Sequence, residues 1–204
     1  MTVDWQERYD QGDIPWEKGA PSPPLRSWLN RHPGTVRGLR LLVPGCGWGH
    51  DARLFARAGA SVTGLDLAES AVKRARALSG PDDDGCRFLQ GDLFAPDTWH
   101  DQRPFDGLVE HTCFCAIDPG DRDRFVRSCE QLIRPGGLLI GMFFPDTGNP
   151  PGEGPPYPCT VAELEHRFGP GFRLLAAWRP QVGYPGRVGC EYGMIRQRRE
   201  SFSG

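Results

Sequence analysis

From residue 39 onward, short apolar runs alternate with amphipathic stretches, most of them bounded by glycine or proline. The run 39–43 (LRLLV) is apolar almost throughout, the pattern of a strand buried on both faces. Residues 51–58 follow with helical spacing, and 60–66 (ASVTGLD) read as a second strand. A helix is expected over 69–78, with Ala71, Val72, Ala75 and Leu78 on its apolar side and Gly80 as its C-cap. Short strands are expected at 86–89 and 105–109. Further on, Asp118 can cap a helix, Pro119 suits its first turn, and Asp121 lies near its positive end. Pro135-Gly136-Gly137 should end that helix, and 138–144 (LLIGMFF) reads as a fifth apolar strand. Thr160 and Glu163 have capping-box spacing, and 172–178 and 192–195 read as two last strands, paired across 180–189. This alternation predicts an α/β fold, a mostly parallel sheet with helices on both faces.

Residues 1–38 break the rhythm. They hold Trp5, Tyr9, Trp16 and Trp28 around the breaker-rich stretch PWEKGAPSPP, with short helices expected at 4–9 and 25–31. Large aromatics in a polar segment need something to pack against. The segment is read as an arm (1–38) on an α/β domain (39–204), either covering that domain or closing over a ligand. One segment can do both.

The strongest local signal is LLVPGCGWGHD, in which a strand feeds Gly45-x-Gly47-x-Gly49 and a helix opens at once. An open α/β sheet binds nucleotide-like ligands at that turn, and glycines let the backbone approach without a Cβ in the way. Asp66 ends the second strand, where a carboxylate can accept from both ribose hydroxyls or, alternatively, cap the next helix. Asp92, in Gly91-Asp92-Leu93-Phe94, lies at the same sheet edge and can accept from an adenine amino group or merely close an Asx-turn. The third glycine comes one residue early for a dinucleotide fingerprint, and Asp51 in the first helical turn would repel a pyrophosphate. An acid there suits a cofactor that carries a cationic sulfonium and an amino group.

Composition narrows the field. A length of 204 residues fits one domain, and a net charge of -2 gives no basic stripe for nucleic acid. Arg196, Arg198 and Arg199, near the end of the chain, read as solubilising. Seven cysteines without a secretory signal read as free thiols in a reducing cytoplasm, and their spacing matches no metal site. No apolar run approaches the length of a membrane span.

The phrases W-x-x-R-Y…P-W-x-x-G-x-P-x-P (5–24), LVPGCGWGHD (42–51), GLDLAESAV (64–72), GDLF (91–94), FCAIDPGDR (114–122) and GPPYP (154–158) occur in fixed order. In them the chain resembles the thiopurine S-methyltransferase superfamily, and most closely its thiol and halide methyltransferase branch. The resemblance implies a Rossmann-like class I methyltransferase with a seven-stranded sheet whose last strand is antiparallel. It implies S-adenosylmethionine as cofactor and a small soft nucleophile as acceptor. Tyr9 and Trp16 then correspond to aromatics covering the cofactor, supported by Trp5. Gly45, Gly47, Asp66, Asp92, Leu93 and Glu110 correspond to further cofactor contacts. One departure matters: where plant-like members carry an Asp-Tyr pair, this chain has Glu110-His111.

Methyl transfer from a sulfonium is an in-line displacement that needs alignment and exclusion of water. An imidazole titrating near 6.5 can take a thiol proton or donate to an anion, so His111 is the candidate catalytic residue beside a structural alternative. Tyr157 is the second candidate, its hydroxyl holding the acceptor or its ring walling the pocket; Phe114 and Phe144 are candidate apolar walls. A thiol or bisulfide is the expected acceptor, with halide or reduced selenium and tellurium species as alternatives. A nicotinamide oxidoreductase and a non-catalytic adenosine-ligand binder are the competing functional classes. No nucleic-acid, membrane or metal partner is expected.

Overall fold

The computed structural model describes residues 3–98, 100, 101 and 103–200. Seven strands form one sheet in the order β3-β2-β1-β4-β5-β7-β6. By contacts the chain divides into two compact units, residues 1–102 and 103–204.

In the first unit the arm supplies α1 (Trp5–Gln11) and α2 (Pro23–Arg31). Asp4 caps α1 by accepting from the Glu7 amide, and Ser22 caps α2. The sheet portion is β1 (Arg40–Pro44), β2 (Ser61–Asp66) and β3 (Cys86–Gln90), all parallel, with α3 (His50–Arg57) and α4 (Glu69–Ala77) between them. Leu41, Leu42, Phe55, Val62 and Leu65 are buried at its centre. The arm is pinned to α4, where Ser70 Oγ lies 2.5 Å from both the Gln6 amide and the Asp10 carboxylate.

The second unit holds β4 (Phe105–His111), α5 (Arg122–Leu132), β5 (Ile133–Phe143), α6 (Val161–Phe168), β6 (Phe172–Trp178) and β7 (Tyr192–Arg198). β4 and β5 are parallel, while β7 runs antiparallel to both β5 and β6. Phe114, Phe125, Phe143, Phe168 and Phe172 form its core, with ring centroids 5.5–6.5 Å apart and mostly edge-to-face.

Several expected boundaries are corrected. Gly80 is not the C-cap of α4: the helix ends at Ala77, Leu78 caps it in right-handed geometry, and Gly80, at φ -119, opens a 3₁₀ turn over 81–83. Asp118 and Pro119 open a 3₁₀ turn, and α5 begins only at Arg122. Pro135-Gly136-Gly137 lies inside β5, because the helix has already stopped at Leu132. Pro135 disfavours helical geometry at Arg134, whose guanidinium instead pairs with Asp106 at 2.7 Å. Thr160 caps α6 by accepting from the Glu163 amide, but the Glu163 carboxylate binds Arg122 and Arg167 rather than closing the box. Nor is Arg196 a solubilising residue. It is 1% exposed in β7 and donates to the Glu165 carboxylate and the Phe172 carbonyl.

Candidate active site

In the first unit, β1 runs out into Gly45, Gly47 and Gly49, all left-handed with φ of 58, 53 and 78. A Cβ on Gly49 would lie 2.4 Å from the Phe88 ring, and one on Gly47 would lie 3.0 Å from the Tyr9 hydroxyl. The loop therefore needs glycine both for its dihedrals and for its neighbours. Asp66, at the end of β2, fastens it: Oδ2 accepts from the Gly47 amide at 2.8 Å and Oδ1 from the Ala68 amide at 3.0 Å. Burial pushes the Asp66 carboxyl up, against those amides and that of Leu67. Ala68, not Asp66, is the N-cap of α4, so capping does not account for the acid.

The arm's aromatics meet at this loop. Trp16 packs edge-on to Trp5 and Tyr9 with centroids 5.4 and 5.7 Å away, and its indole N–H donates to the Tyr9 hydroxyl at 3.1 Å. Burial, then the Asp66 charge, raises the Tyr9 phenol well above its ordinary range. Two further ties hold the arm to α3: His50 Nε2 is 3.0 Å from Glu17 Oε1, and the Ser22 amide donates to Asp51 Oδ1 at 2.7 Å. Asp51 is thus occupied by the arm's backbone. Asp92 closes an Asx-turn onto the Phe94 amide at 2.8 Å, and Leu93 is buried.

These residues fit an adenosine-bearing sulfonium. The left-handed glycines leave room for close approach, the Asp66 oxygens keep lone pairs for hydroxyl donors, and aromatic rings suit a cation.

In the second unit, β4 carries Glu110 and His111 as its last residues, two further than the pattern predicts. Thr112 follows at φ 60, a left-handed geometry strained for a β-branched side chain. That turn brings the Phe114 amide back to Glu110 Oε1 at 2.9 Å. Glu110 is fully buried, its Oε2 has no hydrogen-bond partner, and burial pushes its carboxyl up to about 7 against the Phe114 and Cys113 amides and the His111 charge.

His111 is 8% exposed, stacks on Tyr184 with centroids 6.3 Å apart, and places Nε2 3.5 Å from Glu191 Oε1. Arg187 Nη1 is 3.7 Å from the same oxygen, and its guanidinium lies 4.4 Å above the Phe144 ring. That Glu191, Arg187 and Tyr184 gather beside His111 is not legible in the sequence. The signal that finds them is strand direction. β7 pairs antiparallel with β5 (Phe143 with Tyr192), so the residues entering β7 reach the edge at which β4 and β5 end.

Tyr157 is held by its backbone. Its amide donates to the Cys115 carbonyl at 2.6 Å, and buried Arg122 donates to the Tyr157 and Pro158 carbonyls at 3.1 and 3.0 Å. Arg122 also stacks on Phe114, which is a core residue. Burial raises the thiols of Cys46 and Cys115 and takes those of Cys86 and Cys159 up to about 12, so they are protonated and poor nucleophiles. Among the described residues no three His, Cys, Asp or Glu side chains are grouped as metal ligands, and no helix is long and apolar enough to cross a membrane.

The family model for thiopurine S-methyltransferase matches residues 1–182. "Probable thiol methyltransferase 2" of Arabidopsis thaliana is 33% identical over 92% of this chain and 81% of its own length. "Thiocyanate methyltransferase 1" of the same plant is 32% identical with the same coverage. A solved structure from work on conversion of a disulfide bond into a thioacetal group during echinomycin biosynthesis has TM-score 0.79. It is 22% identical and covers 100% of this chain and 94% of that one, and it supports the fold. With a family match over most of its length and the class I strand order, the chain belongs to the thiopurine S-methyltransferase family and is an S-adenosylmethionine-dependent methyltransferase.

Proposed function

We propose that this enzyme methylates a small thiol, bisulfide or a comparably small soft anion, and that His111 takes the proton when the acceptor is a thiol. The observation that carries this reading is His111 itself, a nearly buried imidazole closing β4, with a carboxylate 3.5 Å from Nε2. The thiol and thiocyanate methyltransferases to which the chain is similar support the acceptor class.

When bound, S-adenosylmethionine supplies an electrophilic methyl group on a cationic sulfur. The chain's own residues supply the rest. Asp66 accepts from the ribose hydroxyls while its amide partners keep it fixed. Gly45 and Gly47 let the backbone approach the cofactor, and Asp92 and Leu93 meet the adenine. Tyr9 and Trp16, supported by Trp5, form a lid that excludes water from the sulfonium. Glu110 offers Oε2 as a further acceptor, a cofactor contact the family resemblance implies. Tyr157, fixed through its backbone by Arg122, walls the acceptor. His111 removes the thiol proton, which matters most below the thiol's own pKa.

An acceptor screen tests the reading. Thiols of graded size, bisulfide, thiocyanate and iodide are incubated with enzyme and cofactor, with S-adenosylhomocysteine quantified and the methylated product identified. The highest kcat/KM is expected for small thiols or bisulfide. A preference confined to bulky aromatic thiols, or no turnover of any acceptor, contradicts the proposal.

A further inference from the structure

Glu191 enters the chemistry described so far only as the carboxylate near His111 Nε2. It is 1% exposed, and neither carboxylate oxygen has a hydrogen-bond partner. Two basic groups, His111 Nε2 at 3.5 Å and Arg187 Nη1 at 3.7 Å, share a single oxygen at distances that suit ion pairing but are long for hydrogen bonds. The groups around this anion are Glu110 and His111 from β4, and Tyr184 and Arg187 from the segment before β7. Cys115 lies within reach of the Arg187 charge. A carboxylate removed from water without hydrogen bonds persists only beside opposite charge. Arg187 supplies one such charge, and a protonated His111 supplies a second.

We infer that Glu191 is a positioning residue for acceptor deprotonation: it holds Arg187 and the His111 ring about one buried anion and stabilises His111 once that ring carries the acceptor's proton. The inference rests on the reading of His111 as the base. In the step, the thiol S–H bond breaks, its electron pair stays on sulfur, and an N–H bond forms on the imidazole. The sulfur pair then bonds the methyl carbon as that carbon's bond to the donor sulfur breaks, and the imidazolium proton passes to solvent.

The charge count gives Glu191 a second consequence. With His111 neutral and Glu110 protonated, Arg187 and Glu191 cancel, and a net positive charge appears in this cluster only as the acceptor becomes anionic. Arg187 without Glu191 would keep it positive at rest. That would favour a bound anion in the ground state, and ground-state stabilisation slows a step that consumes the anion's charge.

Three variants of the full chain test this. The His111 titration is followed by NMR on the ligand-free protein, and kcat/KM is measured for one thiol, below its pKa, and for thiocyanate. In Glu191→Gln the His111 midpoint should move to lower pH by about one unit. Thiol kcat/KM should fall roughly tenfold or more. Thiocyanate, which has no proton to lose, should lose less kcat/KM, its kcat and KM falling together. Glu191→Asp keeps the anion and should restore most of the midpoint. Arg187→Met leaves Glu191 to His111 alone and should move the midpoint the other way, to higher pH; should Glu191→Gln fail to fold, this variant decides. A midpoint unmoved in either charge-removing variant, or equal losses for thiol and thiocyanate in Glu191→Gln, overturns the role of Glu191. A thiol deficit absent from His111→Gln rejects His111 as base, and this inference with it. A deficit in His111→Gln beside wild-type rates and midpoint in Glu191→Gln rejects Glu191 alone.

Discussion

Asp66 and Glu191 are both carboxylates exposed by less than a tenth, yet each oxygen of Asp66 accepts a backbone amide while neither oxygen of Glu191 has a hydrogen-bond partner. The contrast extends to their surroundings. In the first unit most of these polar groups are hydrogen-bonded: the Trp16 indole to the Tyr9 hydroxyl, the Ser22 amide to Asp51, and the Phe94 amide to Asp92, while His50 is held to Glu17 by an ion pair. Around His111, the buried oxygens of Glu110 Oε2 and Glu191 have no such bonds. Buried carboxylates paired this way are parts of a scaffold assembled before any ligand arrives. Those left to long ion pairs are costly to keep charged, and are where proton chemistry is expected.

The largest effect expected from this comparison concerns Glu110. Its carboxyl titrates at about 7 instead of the ordinary 4.5, chiefly because it is buried. Between those values the folded protein holds a proton that the unfolded chain has released, so stability falls as pH rises through that window. Glu110→Gln has no such proton. Its unfolding free energy should change less between about pH 5 and about pH 8, by on the order of 3 kcal/mol. Denaturant titrations at both pH values check this, and parallel curves for the two proteins contradict it.

Asp66→Asn tests the paired region. The amide keeps one acceptor but turns a donor toward the Gly47 or Ala68 amide, so cofactor affinity should fall by about 30- to 100-fold, or 2–3 kcal/mol. Calorimetric titration with S-adenosylhomocysteine reads it. Unchanged affinity in a folded variant removes Asp66 from the cofactor site. Tyr9→Phe should cost less, since it deletes a single hydroxyl and leaves the edge-to-face contacts with Trp16. About fivefold weaker cofactor binding is expected, near 1 kcal/mol. No change would reduce the arm's hydroxyl to a partner for Trp16.

The paired region was the legible one, for a physical reason. Left-handed backbone at 45, 47 and 49 leaves glycine as nearly the only choice, so the demand is written in the residue type. The place of Asp66 beside the loop was readable because β2 is parallel to β1 and ends at the same sheet edge. Thr112 shows the opposite case: the same left-handed geometry falls on a β-branched residue that gives no hint of it. Arg187 and Glu191 lie in an aperiodic segment, and their place follows from the antiparallel pairing of β7, a long-range fact. Gly80 misled because a glycine near a helix end usually closes it, whereas here the turn over 81–83 uses it in extended geometry. Arg196 misled because charge near a chain end suggests solvent, while the Glu165 carboxylate and the Phe172 carbonyl hold it inside.

The central claim is that His111 removes a proton from the acceptor, and the pH dependence of kcat/KM in His111→Gln tests it most directly. Wild type and variant are compared with one thiol and with iodide across the thiol's pKa. The thiol deficit of the variant should be large below that pKa and largely recovered above it, where solution supplies the thiolate. Iodide carries no proton and should show no such recovery. A thiol deficit that stays constant across the pKa contradicts the claim and leaves His111 a ring that packs against Tyr184.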